Sequence, residues 1–192
     1  MFDRNVVFLD LETTGASPGQ DRITEVGLIE VDGGYFVREW STLVNPGIPI
    51  PLLIQSLTGI NNAMVAKAPY FEDITRELYE AIDGRMLIAH NARFDYGFLE
   101  HEFKRLDQAF STPVLCTVRL SRKLFPQHAR HNLDTLINRH DIDCDARHRA
   151  LGDARVLWQL AQQWRSDPGE AAVLAATAKL LKTPTAAAAP AA

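Results

Sequence analysis

Apolar residues run without a break through Val6, Val7, Phe8 and Leu9 and stop at Asp10, the pattern of a strand covered on both faces. Residues 5–11 are therefore predicted as a buried strand. A second apolar run over 23–31 leads through Asp32-Gly33-Gly34 into a third over 35–44, and turn residues between two β-rich runs predict a hairpin. Asn45-Pro46-Gly47 breaks the pattern, and 49–68 reads as a loop-rich rim with short helical turns around Leu57-Thr58-Gly59-Ile60. From 70 to 82 the period changes: Phe71, Ile74, Leu78, Tyr79 and Ile82 share one helical face, which Gly84 terminates. Short strands are predicted at 86–89 and 114–116. Helices are predicted at 92–106 with Asn91 as N-cap, and at 118–125, 132–139 and 150–164. A hairpin-rich half followed by alternating helices and strands predicts an α/β fold around a mixed sheet.

Composition narrows the picture. The 192 residues, 46% hydrophobic, suffice for one domain with a sizeable core. The formal charge of -4 argues against a protein that grips nucleic acid through a broad basic surface. A nucleic-acid substrate stays open, because bound divalent cations offset acidic groups. Cys116 and Cys144 have no Cys-x-x-C partner and read as buried, reduced thiols. The start of the chain shows no export signal, and no apolar run approaches the roughly 18 residues that span a bilayer, so a cytoplasmic protein is expected. After Trp164 the composition shifts. Residues 1–165 read as the domain, and 166–192 as a tail or linker in which Asp167-Pro168 starts a short helix before an Ala/Pro tract from Thr183.

Three acidic motifs carry the chemistry: Asp10-Leu11-Glu12, His90-Asn91-Ala92-Arg93-Phe94-Asp95, and His148-Arg149-Ala150-Leu151-Gly152-Asp153. Residues two apart on a strand face the same way, so Asp10 and Glu12 present two carboxylates together, which repel unless a cation lies between them. Hard ions such as Mg²⁺ or Mn²⁺ suit those oxygens. Asp95 and Asp153 each fall in a first helical turn, where negative charge is favoured. Two divalent ions about 4 Å apart, bridged by Asp10, neutralise a scissile phosphate. His148, with an ordinary pKa near 6.5, then accepts the proton of the attacking water. His90 ends an apolar strand and reads as structural, while His101, His128, His131 and His140 read as surface or loop residues. Thr13-Thr14-Gly15 fits a tight loop near a substrate terminus. Arg119, Arg122, Lys123, Arg130, Arg139 and Arg147 give the 119–149 region a basic lean suited to phosphates.

At these motifs the chain resembles the DEDDh exonucleases, the superfamily of the proofreading epsilon subunit of bacterial DNA polymerase III. The histidine five residues before the last aspartate selects that branch. It resembles especially the epsilon-like domains that precede a GIY-YIG endonuclease domain. The resemblance implies a ribonuclease H-like fold. It also implies a site of Asp10, Glu12, Asp95 and Asp153 holding two Mg²⁺ or Mn²⁺ ions, with His148 as general base, and 3′-5′ hydrolysis of DNA to nucleoside 5′-monophosphates. Leu11, Thr13, Thr14, Gly15, Thr58, Ile60, Asn91 and Phe94 are the implied substrate contacts, and His131-Asn132-Leu133-Asp134 an implied packing segment. The expected partner is a nucleic-acid 3′ end, with a polymerase, an endonuclease or a missing C-terminal domain beside it. Trimming of RNA 3′ ends, or a non-catalytic scaffold for such a partner, are the competing readings.

Overall fold

A computed structural model describes residues 4–181. Its five-stranded sheet has the order β3-β2-β1-β4-β5, from β1 (Val6–Thr13), β2 (Ile23–Asp32), β3 (Tyr35–Leu43), β4 (Met86–Ala89) and β5 (Val114–Cys116). The first three strands are antiparallel, as the turn at Asp32-Gly33-Gly34 requires, whereas β4 and β5 run parallel to β1 because helices carry the chain across. Helices α1 (Leu52–Thr58), α2 (Asn62–Val65) and α3 (Phe71–Ile82) follow the hairpin, α4 (Arg93–Arg105) joins β4 to β5, and α5 (Thr117–Leu124), α6 (Leu133–His140) and α7 (Ala150–Trp164) come after it.

Period-two alternation along β1 sorts its side chains between two cores. Val7, Leu9 and Leu11 pack with Ile74, Leu78, Phe98 and Phe103 of α3 and α4. Val6 and Phe8 face the other way, toward Val156, Leu157 and Leu160 of α7, and Phe8 meets the Trp158 ring at 5.5 Å. Asp10 and Glu12 continue that second face past the end of the apolar run.

One residue lets α7 come close enough to matter. Gly27 pairs directly with Asp10 across β1 and β2, and a Cβ on Gly27 would lie 2.1 Å from Leu151 N and 2.2 Å from the Ala150 carbonyl carbon. The start of α7 rests on bare sheet backbone beside Asp10. Gly27→Ala is therefore expected to push α7 off the sheet, at a cost of about 1–3 kcal/mol for overpacking. It should lower the denaturation midpoint and catalytic rate together; an unchanged midpoint would contradict the contact.

Several element ends differ from the sequence prediction. The first strand continues through Thr13, because Glu12 still pairs with Glu25 before the register shifts between Glu12 and Thr13. Asn91 is not the N-cap of α4: it adopts φ 63, Ala92 takes the cap position, and no side chain caps that end. Cys116 and Cys144 are free but only half-buried. His131 is buried, its Nδ1 2.8 Å from Ser121 Oγ and its Nε2 2.9 Å from the His128 carbonyl. It pins the loop before α6, whose start Asn132 caps by accepting from Thr135 N at 2.8 Å. Past Trp164 the chain kinks through Arg165–Gly169 into α8 (Glu170–Leu180). That helix packs onto the domain, with Val173 fully buried and Ala176 beside it in the α7 core. The Ala/Pro tract from Thr183 lies outside the described residues.

Candidate active site

The tip of β1 and the start of α7 bring three carboxylates together: oxygens of Asp10, Glu12 and Asp153 all lie within 4.8 Å of one another. Asp95, 2% exposed in the first turn of α4, stands behind them. Burial raises its pKa to about 8, the backbone amides of Asp95 and Leu11 pull against that rise, and its charge acts directly on Asp10. The sequence motifs, up to 143 positions apart, thus converge on one acidic cluster.

The electrostatics show what such a cluster costs. Burial pushes Asp10 well above the ordinary carboxylate range, and repulsion by Asp95, Asp153 and Glu12 adds to it. Burial, then Asp153 and Glu25, push Glu12 up to about 7. Burial raises Asp153 to about 6 against the pull of Arg147. The Oδ1 atom of Asp153 is buried with no hydrogen-bond partner among the described residues. Crowded, poorly solvated oxygen donors of this kind fit hard divalent cations, whose charge relieves the repulsion.

A sign follows for stability. Raised folded-state values mean that the folded chain binds more protons than the unfolded one, so stability is full below the unfolded pKa of about 4 and is lost as pH rises through 6 and 7. In a chelator the melting temperature is expected to fall by about 5 °C between pH 5 and 7.5. Mn²⁺ should remove most of that fall, because it binds only the folded state. Parallel melting curves with and without the ion would contradict a cation site here.

Neighbouring groups hold the cluster in place. Buried Glu25, directly across from Glu12, accepts Arg149 Nη2 at 2.6 Å and the Ala150 N–H at 2.9 Å, clamping the first residues of α7 to β2. Arg147 donates through Nη1 to Asp153 and through Nε to Asp134 at 2.6 Å, placing a guanidinium against the acids. Glu102, buried on α4, receives Arg22 at 2.7 Å and Arg105 at 2.9 Å, while Arg105 also reaches the Pro18 carbonyl at 3.0 Å. That network ties the loop after β1 to α4.

His148 sits in the turn before α7 at φ 60, half-buried, and its backbone amide lowers the Asp153 pKa. Burial and Arg147 lower its pKa below the ordinary value. His90 is held by Nδ1 at 2.9 Å from Thr117 Oγ1, and burial brings it down to about 4, a neutral structural histidine.

The expected substrate contacts divide. Asn91 is exposed and Phe94 half-buried against Phe98 at 4.8 Å. In the loop after β1, Thr13 donates to the Gly15 carbonyl at 2.6 Å, and Thr14 bonds Asp21 and Arg22. Gly15 is needed for space, since a Cβ there would lie 2.5 Å from the Asp21 carboxylate. Thr13 and Thr14 are themselves buried, at 6% and 2% exposure, and Leu11 and Ile60 are core residues at 5% and 0%. Ile60 packs with Ile50 and Val65, and the Thr58 hydroxyl is spent on the Ile54 carbonyl and the Ile60 N–H. The Thr58 and Ile60 side chains offer little or no surface to a nucleotide because the turn that Gly59 closes at φ 72 folds them inward, and Leu11 offers little because it faces the α3–α4 core.

The sheet, its helices and the carboxylates at the β1 tip have the arrangement of the exonuclease class. Residues 7–161 match the family described as Exonuclease, and the chain belongs to that family. It is 36% identical over 168 residues to a PolC-type DNA polymerase III of Oceanobacillus iheyensis, covering 85% of this chain and 12% of the relative. It is 36% identical over 160 residues to the 3′-5′ exonuclease DinG of Bacillus subtilis, covering 81% and 17%. The chain thus spans less than a fifth of these curated relatives. Among solved structures it resembles exonuclease X in complex with 5′-overhanging duplex DNA, with TM-score 0.72 and 27% identity over 91% of this chain and 98% of that one. The fold is the ribonuclease H-like arrangement. Among the described residues no helix is long and apolar enough to cross a membrane.

Proposed function

We propose that this chain is a metal-dependent 3′-5′ exonuclease that hydrolyses DNA to nucleoside 5′-monophosphates. The observation that carries the reading is the meeting of Asp10, Glu12 and Asp153 within 4.8 Å, with Asp95 buried behind them. These four carboxylates would hold two Mg²⁺ or Mn²⁺ ions, which supply charge neutralisation at the phosphate and acidify the attacking water. His148, unprotonated at neutral pH because burial and Arg147 lower its pKa, accepts the proton released as water attacks. Glu25, Arg149 and Gly27 fix the position of α7, and so of Asp153, against Asp10. The backbone of the loop from Thr13 to Gly15, with exposed Asn91 and half-buried Phe94, orients the strand terminus.

DNA is the favoured substrate because the PolC-type relative is a DNA polymerase and exonuclease X was solved on DNA. The part of such relatives that this chain matches belongs to a far longer chain, which supports work in proofreading or repair beside a polymerase or endonuclease, in the reducing cytoplasm that suits free Cys116 and Cys144. Digestion of 3′- and 5′-labelled DNA and RNA oligonucleotides, with metal omitted and restored, tests it. The reading predicts loss of the 3′ label first, on DNA, only with metal. Metal-independent cleavage or a 5′ polarity would sink it.

A further inference from the structure

A groove of about 1140 Å³ is walled at one end by the residues that lead into Asp95. One end is made by Ala16 and Pro18, in the loop that follows β1, and by Asn91 to Phe94, just before Asp95. From there it passes along the edge of β5 and the face of α5, with Leu180 of α8 on its far side. Arg93, Arg119 and Arg122 line it.

These three arginines differ from most others in the chain. Arg22, Arg85, Arg105, Arg149 and Arg155 each rest on a carboxylate. Arg93, Arg119 and Arg122 are exposed and form no ion pair among the described residues. Arg119 and Arg122 are three positions apart on α5 and so share one face. Among the described residues Glu100 is the only acidic one lining the groove, which leaves a net positive strip on a chain of formal charge -4. Partly exposed Phe94 and Tyr96 add rings against which bases stack. Unpaired cations interleaved with aromatics, in a groove whose wall from Asn91 to Phe94 leads along the chain into Asp95, are the chemistry of a single-strand track.

We propose that this groove carries the single-stranded part of the substrate strand on the 5′ side of the scissile phosphate, with Arg119 and Arg122 holding backbone phosphates. The proposal rests on the exonuclease reading for the direction of the strand. Its test is separable, because binding is read without catalysis. Anisotropy of a labelled 12-nucleotide single strand, titrated with the full chain in chelator, is compared for wild type and the double variant Arg119→Glu, Arg122→Glu. Both positions are exposed helix surface, and Arg119→Lys, Arg122→Lys serves as the charge-conserving control.

Charge reversal is expected to weaken binding at least about tenfold and to lower the slope of log affinity against log salt by about 1.4, two phosphate contacts at about 0.7 each for a single strand. The lysine pair should keep that slope. Hydrolysis of the p-nitrophenyl ester of thymidine 5′-monophosphate, which needs only the acidic site, should be unchanged by charge reversal, while kcat/KM on the oligonucleotide falls. Unaltered single-strand binding would overturn the proposal, as would a loss confined to duplex DNA, which assigns the groove to the complementary strand. Equal loss on the small ester and the oligonucleotide would also overturn it. A wild type that binds through the groove but hydrolyses neither substrate would instead refute the exonuclease reading alone.

Discussion

Asp10→Ala is expected to abolish hydrolysis while making the metal-free chain more stable at neutral pH. Asp10 is the point on which the cluster converges: Asp95, Asp153 and Glu12 all raise its pKa, and Gly27 opposite it lets α7 deliver Asp153. Removing it takes away the group best placed to bind both ions. Charge stabilisation of several kcal/mol at about 1.36 kcal/mol per decade makes the loss at least about a thousandfold in kcat. The same change relieves a buried, repelled carboxylate, so the melting temperature in chelator should rise at pH 7.5 and its response to Mn²⁺ should shrink. Asp10→Asn, which keeps the shape, should behave alike in rate. Calorimetry beside the label-release assay checks both halves. An inactive variant that also melts lower in chelator would show a fold effect in place of a site effect, and an active one would remove Asp10 from the chemistry.

Much of this architecture is legible in the sequence because it is written in local periods. Both ends of the helix Ala150–Trp164 follow from its apolar face, and the strand Met86–Ala89 from four apolar residues. The four acids are legible as motifs at element edges. What escapes has no local period. Glu25 clamps Arg149 and Ala150 from more than 120 positions away, and nothing in the spacing of 23–31 marks it. Gly27 looks like an ordinary strand glycine until α7 is laid on it. Arg147 reads as one of several basic residues, yet it alone among them is placed on Asp153. Asn91 has the composition of an N-cap, but its left-handed backbone sends the cap position to Ala92. Leu11 and Ile60 carry family-like motifs while their side chains serve the core. Long-range ion pairs and backbone-to-backbone contacts are set by the fold as a whole, so one sequence shows their residues without their partners.

His148→Asn is expected to cost about a hundredfold to ten-thousandfold in kcat, the range for a lost general base, and to leave Mn²⁺ affinity nearly unchanged. Asparagine is the informative substitution because position 148 holds φ 60, a conformation that asparagine tolerates better than alanine. Burial and Arg147 lower the imidazole pKa, so the acidic limb of the wild-type profile should lie below 6.5, with rate climbing as His148 loses its proton. Glu12 and Asp153 also titrate near this range in the metal-free chain. Metal concentration separates the two origins: a limb caused by protons competing with cation for carboxylates moves to lower pH as Mn²⁺ increases, whereas the His148 limb stays where it is. At saturating Mn²⁺ the wild type should keep a single limb and His148→Asn should lose it. A variant that retains the fixed limb would place the proton acceptor elsewhere, and one whose rate is restored by more Mn²⁺ would make His148 a support for the carboxylates.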